Sequence, residues 1–380
     1  MTLIAAGAVV LEQGVCRPGW VETSGGRIIS CGSGVAPRPA DIDLPEALVV
    51  PGFVDIHAHG GGGASYTDGN DADILRAAMF HRSHGTTTTL ASLVTASPAD
   101  LLTAVRALAD STRAGTVAGI HLEGPWLSAA RCGAHDPKQL RDPAPAEIDA
   151  LLTAGGGAIR MVTLAPERAG SSDAITRLID AGVVVAVGHT DAAYEQTRHA
   201  VELGATVGTH LFNAMRPVHH REPGPALALL EDARVTVELI ADGVHVHPAM
   251  QRAVIEAAGA DRVALVTDAT AAAGLGDGEF RLGTVQIDVV NQVARVRGTS
   301  TIAGSTATMD QLFRAAAGLG SDHDAALAAA VQMTSTTPAR ALGLDRVGSL
   351  RAGADANLVV LDRHLQVTGV MADGQWQAGG

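Results

Sequence analysis

His57 and His59 are separated by one residue, and Glu123, His189, His210 and Asp268 each stand at or just past the end of an apolar run. Imidazole and carboxylate are the usual protein ligands of zinc, and they also suit iron and manganese. A divalent ion held by such a set would lower the pKa of a water from about 15.7 to about 7, supplying hydroxide at neutral pH. A nearby carboxylate could accept the proton on attack and return it to the leaving group, and Asp268 is the candidate. Each residue taken singly has an ordinary explanation. Two histidines at i and i+2 share one side of any strand by alternation. Glu123 could bond to a turn, His189 could be a loop residue near a helix start, and Asp268 could cap a helix before Ala269. Their joint placement carries the argument.

That placement depends on the elements behind them. Apolar, β-branched runs occur at 52–56, 86–93, 117–122, 158–164, 183–187, 206–209, 235–240 and 263–267, with amphipathic helical stretches such as 71–84, 98–113, 171–181 and 191–203 between most of them. Helix starts are marked by Ser97-Pro98, Thr190-Asp191 and His247-Pro248. Eight strands alternating with helices predict a (β/α)8 barrel of the TIM type, whose active site lies at the C-terminal ends of its strands. His57 and His59 then end the first strand, Glu123 the third, His189 the fifth, His210 the sixth and Asp268 the eighth. All six converge on one mouth. A doubly wound open sheet is the competing architecture, but the first strand lacks G-x-G-x-x-G. Residues 277–300 break the rhythm and read as a β-hairpin inserted after the eighth strand. Short β-type runs punctuated by glycine fill both ends of the chain, so residues 1–50 and 345–380 are expected to form one small β-sandwich domain around a barrel of residues 51–344.

Composition excludes several other chemistries. Of the 27 basic residues, Lys138 is the single lysine, so no G-x-x-x-x-G-K-[ST] phosphate loop exists. Schiff-base chemistry would have to rest on Lys138, which lies in a polar, turn-rich stretch. A bridging carbamylated lysine would also have to be Lys138, well beyond a strand end, which makes Glu123 the better shared ligand. The net charge of −13 argues against nucleic acid as a partner, because phosphate backbones need dense Lys and Arg. The three cysteines form no CxxC pair and suit a reducing compartment. With no basic region after Met1 and no uncharged apolar run near the ~20 residues of a membrane span, the expectation is a soluble cytoplasmic protein without a membrane partner.

The local sequences around these residues resemble those of the N-acetylglucosamine-6-phosphate deacetylases of the amidohydrolase superfamily. The matching pieces are Pro51-Gly52-Phe53-Val54-Asp55-Ile56-His57-Ala58-His59-Gly60, His121-Leu122-Glu123-Gly124-Pro125-Trp126, Gly133-Ala134-His135-Asp136-Pro137 and Gly188-His189-Thr190. They continue with Thr209-His210-Leu211-Phe212-Asn213-Ala214-Met215, Arg221-Glu222-Pro223-Gly224, Ala241-Asp242-Gly243-Val244-His245, Leu265-Val266-Thr267-Asp268-Ala269-Thr270 and Ile302-Ala303-Gly304-Ser305. The likeness runs almost end to end. His-x-His marks only the superfamily, whereas the run from His210 to Met215 and the Arg221 segment separate this family from dihydroorotase-like relatives.

The resemblance implies hydrolysis of the acetamide of N-acetylglucosamine 6-phosphate to glucosamine 6-phosphate and acetate. It implies that Glu123, His189 and His210 hold the main metal ion, zinc first, with iron, manganese or cobalt as alternatives. Asp268 is then general base and acid, and His135 helps polarise the amide carbonyl. Arg221 and His245 resemble the sugar-phosphate contacts, with Asn213 and Ala214 alongside. Ala134, Asp242 to His245, and Ile302, Ala303 and Gly304 match segments that line the sugar pocket. Some members replace both first-strand histidines with amides and use one metal. This chain keeps His57 and His59, which leaves one or two ions per subunit, a second being bridged by Glu123 and touching Asp268. Family members typically pair as homodimers, in which the partner could complete the phosphate site. Two other readings stay open: deacetylation of another amino-sugar phosphate, such as the galactosamine epimer, and a non-catalytic barrel scaffold. A cyclic-amide hydrolase is disfavoured by Arg221 and His245, since such substrates carry no sugar phosphate.

Overall fold

The β-branched runs in the middle of the chain become parallel strands because side chains on both of their faces are buried, as sheets covered by helices require. In the computed structural model, which describes residues 1–377, these strands are Phe53–Ala58, Thr86–Leu93, Gly119–Glu123, Ile159–Leu164, Val184–Val187, Val207–Gly208, Thr236–Leu239 and Val263–Leu265. They lie side by side in chain order in one sheet. The last returns to the first through a parallel bridge between Ala58 and Ala269 and a hydrogen bond from the Asp268 N–H to the His57 carbonyl at 2.8 Å. The result is a nearly closed barrel of TIM type, as expected. The last three positions of the expected terminal segment 345–380 lie outside the described residues.

Helices follow the strands where the local sequence starts and stops them. Pro98–Arg113 begins with the Ser97 hydroxyl accepting the Asp100 N–H at 3.2 Å, a cap whose loss typically costs about 1 kcal/mol. Pro248–Ala258 begins with His247 Nδ1 accepting the Ala249 N–H at 3.1 Å. The start expected at Thr190-Asp191 is displaced, and the helix runs Tyr194–Glu202. Glu167 binds the Thr190 hydroxyl at 2.5 Å and the Asp191 N–H at 2.7 Å, which keeps that stretch out of the helix.

Residues after the eighth strand form three antiparallel strands, Gly278–Leu282, Val285–Val290 and Val293–Val296, where a two-stranded hairpin was expected. The additional strand carries Glu279 and Arg281 and is mostly exposed, so apolar alternation did not mark it. Leu282, Ile287, Val289 and Ala294 of these strands pack with Val94, Ala272 and Ala303.

The chain divides into two compact units, one of Ile56–Met79 and Thr89–Ala307, the other of Met1–Asp55, Phe80–Thr88 and the residues from Thr308 onward. In the second, strands from both ends of the chain share one sheet. Thr2–Leu11 runs parallel to Ile42–Pro51, which pairs antiparallel with Leu358–Leu361. Ile4, Val9, Val21, Ile28, Val49, Leu358 and Met371 form its core. The helix His323–Val331 packs on Gly14–Cys16 and Thr2–Leu11, so this unit begins near 308, earlier than the expected 345. Among the described residues, no helix is long and apolar enough to cross a membrane.

Candidate active site

Glu123 is the centre of a buried cluster at the C-terminal mouth of the barrel. Its Oε1 lies 2.9 Å from His189 Nε2 and 3.0 Å from His210 Nε2, and its Oε2 lies 3.1 Å from His59 Nε2 and 3.2 Å from His135 Nε2. His57 Nε2 is 3.6 Å from Oε1 and 3.3 Å from His59 Nε2. Asp268 Oδ1 stands 3.2 Å from His59 Nε2 and 3.7 Å from His57 Nε2. His57 comes from the first strand and His59 from the position just after it, Glu123 from the third strand and Asp268 from the turn after the eighth. His189, His210 and Asp268 all adopt left-handed backbone, with φ of 46°, 24° and 48°. Such conformations strain a residue with a Cβ and gather at functional sites, where the surrounding structure over-determines them.

The other ring nitrogens fix the tautomers. His57 Nδ1 meets Glu238 Oε2 at 2.9 Å, His59 Nδ1 meets the Ser92 carbonyl at 3.2 Å, and His189 Nδ1 meets the Arg131 carbonyl at 2.9 Å. These partners only accept, so each Nδ1 carries a proton and each ring turns its Nε2 toward Glu123. Ring nitrogens and carboxylate oxygens thus crowd one point, an arrangement stable only with positive charge, a proton or a cation, among them. Burial disfavours charge on His57, yet Glu123 and Glu238 lift its pKa well above the ordinary imidazole value. For His59, burial is likewise outweighed by hydrogen bonds to Asp268 and Glu123, which lift the pKa to about 9. Against the same opposing burial, His57 and its neighbours hold Glu123 well below the usual range, and His59 and His57 hold Asp268 down to about 2.

The donor set therefore fits a divalent cation. Glu123, His189 and His210, and separately His57, His59 and Glu123, each bring their ligand atoms within 4.8 Å of one another. Ligands about 2.0–2.1 Å from a tetrahedral ion are about 3.3 Å apart, within a few tenths of an ångström of the separations in the first set.

His135 is different. Its Nδ1 accepts the Thr95 N–H at 3.2 Å, so the neutral ring carries its proton on Nε2, facing the cluster as a donor. Burial pushes its pKa down to about 4, which keeps the ring neutral.

A cavity of about 410 Å³ opens on the cluster. Of the residues singled out in the sequence, His59, Glu123, Ala134, His135, His189, His210, Asn213, Ala214, His245, Asp268, Ile302 and Gly304 line it. His57 is fully buried. Asp242 acts through His245: its Oδ2 meets His245 Nδ1 at 2.7 Å and its Oδ1 accepts the His245 N–H at 2.9 Å. Burial opposes charge on both, and the mutual bond lowers the Asp242 pKa and raises that of His245. Ala303 is buried and does not line the cavity. Arg221 does not line the cavity. It is exposed, in a loop closed by the His219–Glu222 bridge, with its guanidinium 2.8 Å from His220 Nε2. Sequence reasoning passed over Arg131, Leu282, Ser300 and Thr301, which line the cavity, and Glu238. Only Glu238 carried a signal, as an acid in the middle of an apolar strand.

Residues 48–377 match the amidohydrolase family model. The chain belongs to the amidohydrolase family. This amidohydrolase is 56% identical to an N-acetyl-D-glucosamine-6-phosphate deacetylase from Mycobacterium smegmatis, whose crystal structure superposes with a TM-score of 0.97 and full coverage of both chains. It is 39% identical to the N-acetylglucosamine-6-phosphate deacetylase of Danio rerio over 88% of this chain and 85% of that one. It is 36% identical to the N-acetylgalactosamine-6-phosphate deacetylase of Escherichia coli O157:H7, over 90% of this chain and 91% of the relative.

Proposed function

We propose that this amidohydrolase removes the acetyl group of N-acetylglucosamine 6-phosphate by hydrolysis, giving glucosamine 6-phosphate and acetate. The observation that carries this reading is the convergence of four imidazole Nε2 atoms and the Asp268 carboxylate around Glu123 at the floor of the cavity. The names of the relatives supply the substrate class.

Glu123, His189 and His210 would hold a divalent ion, zinc by the nature of the donors, with iron, manganese or cobalt as alternatives; His57, His59 and Glu123 would hold a second. When bound, such an ion supplies a Lewis acid that makes a water nucleophilic at neutral pH. Asp268, kept ionised by His59 and His57, takes the proton from the attacking water and then delivers it to the departing sugar nitrogen. The Nε2–H of His135 donates to the acetamide oxygen as negative charge develops there. His245, held by Asp242, and the polar groups at Asn213 and Ala214 face the sugar phosphate, while Ala134, Ile302 and Gly304 shape the wall around the sugar. Arg221, exposed and outside its own cavity, is assigned to the phosphate in the cavity of a second subunit. The protein is then a homodimer.

The test pairs elemental analysis of the purified protein with acetate release from N-acetylglucosamine 6-phosphate before and after chelation. Chelator-sensitive acetate release is expected. Bound metal without acetate would move the substrate elsewhere, and neither metal nor acetate would leave a barrel scaffold. The Escherichia coli relative supports a second reading, deacetylation of the galactosamine epimer. Comparing kcat/KM on the two epimers decides between them.

A further inference from the structure

Glu238 stands in the strand Thr236–Leu239, between Val237 and Leu239, with no solvent exposure. Burying a carboxylate is costly, and an apolar side chain of similar size would fill the same space more cheaply if packing were its only role. Its contacts point elsewhere. Oε2 accepts from His57 Nδ1 at 2.9 Å and from the backbone N–H of His210 at 3.2 Å. The Glu238 carbonyl accepts the Leu211 N–H at 2.8 Å. One residue of the seventh strand therefore grips a histidine of the first and the backbone beside a histidine after the sixth. Among the described residues, Oε1 has no hydrogen-bond partner.

We infer that Glu238 is a positioning residue that holds His57 with its proton on Nδ1, aims the Nε2 lone pair of that ring at the Glu123 cluster, and pins His210 in its left-handed conformation. An ionised carboxylate can only accept, so it dictates one tautomer. An amide at the same place could turn its NH2 group to His57 Nδ1 and stabilise the opposite tautomer, placing a proton where a cation would sit. Such outer partners orient histidine ligands and raise their basicity, and losing one typically weakens metal binding by about 10–100-fold. The inference rests on the reading of these histidines as ligands of a divalent ion.

Two measurements on the full chain test it. Zinc affinity and stoichiometry of Glu238→Gln, measured by chelator competition and elemental analysis, should show a loss of about 10–100-fold or the loss of one ion per chain. The variant should still unfold cooperatively. Unchanged zinc binding in a folded Glu238→Gln protein would overturn the inference. Long-range proton–nitrogen NMR correlations of the unmodified protein, assigned by the signal missing in His57→Gln, should place the His57 proton on Nδ1. A proton on Nε2 in place of Nδ1 would overturn it equally, and this second measurement decides the matter if Glu238→Gln does not fold. Failure of the deacetylase reading is separable, because it would appear as absent acetate release with zinc binding and the His57 tautomer unaffected.

Discussion

Nε2 of His189 lies 3.1 Å from Nε2 of His210, and Glu123 Oε1 is 2.9 and 3.0 Å from the two. The two rings come from turns after different strands, each with a backbone conformation that a residue with a Cβ rarely adopts. The fold thus maintains strain to bring donor atoms together.

Removing the ion should be felt in stability as well as in activity. An ion that binds only the folded chain stabilises it by about 2.7 kcal/mol when present at a hundred times its Kd. Chelation should therefore abolish acetate release and lower Tm, and zinc should restore both. A Tm indifferent to chelation would dissociate the cluster from metal binding.

Asp268→Asn should lower kcat by about 10²–10⁴-fold, the usual worth of a positioned acid or base. Metal content should stay near that of the unmodified protein, because Glu123, His189 and His210 remain. Turnover within a few-fold of normal would place the base elsewhere.

Gly304 has φ of +57°, and a Cβ there would lie 2.8 Å from the Asp268 carbonyl oxygen and 2.7 Å from Thr270 Cγ2. Gly304→Ala should displace the Asp268 turn and cut kcat at least about tenfold, since small misplacements of a catalytic group are costly. Stopped assays of acetate at saturating substrate would show it, and unaltered kcat would mean that the turn relaxes without moving the carboxylate.

For Arg221→Ala, a charge-assisted hydrogen bond worth about 1.5–3 kcal/mol predicts a rise in KM of about 10–100-fold for the phosphorylated sugar. Little change is expected for the unphosphorylated one. Equal effects on both would detach Arg221 from the phosphate, and a monomer mass by light scattering at micromolar concentration would refute its action across a dimer.

In the unit that holds the chain ends, Asp310 is buried, and burial alone would raise its pKa. Bonds from His84, Thr308 and Arg314 instead hold it at about 2, against 3.8 ordinarily. Because the folded pKa is the lower one, this stabilisation is complete above about pH 4 and is lost as pH falls toward 2. It is on the order of 2 kcal/mol. The Tm gap between the unmodified protein and Asp310→Asn should therefore narrow between pH 5 and pH 2, as followed by scanning calorimetry. A constant gap would show that the carboxylate charge is not what stabilises.

Much of the site was legible because strand structure is local. Apolar, β-branched runs state where strands lie, and a polar residue at the end of such a run must face the mouth once the barrel closes. His57, His59, Glu123, His189, His210 and Asp268 could be named on that basis. The strand Gly278–Leu282 was not legible, because its exposed polar residues leave no alternation to read. The displaced start of Tyr194–Glu202 was hidden because Glu167, distant in sequence, claims Thr190 and Asp191.

By itself, then, the sequence determined which residues could do chemistry, which strand each one ends, and, through the single lysine, which chemistries are absent. Tertiary structure alone decided how those residues act on one another. The proton on His57 is directed to Nδ1 by Glu238, that on His59 by the Ser92 carbonyl and that on His189 by the Arg131 carbonyl, while Thr95 sends the His135 proton to Nε2. Arg221, close in sequence to His210, stands outside the cavity that His210 lines. Alternation along a strand sets the direction of a side chain, but hydrogen bonds between strand ends depend on barrel closure, which brings together residues far apart in the chain.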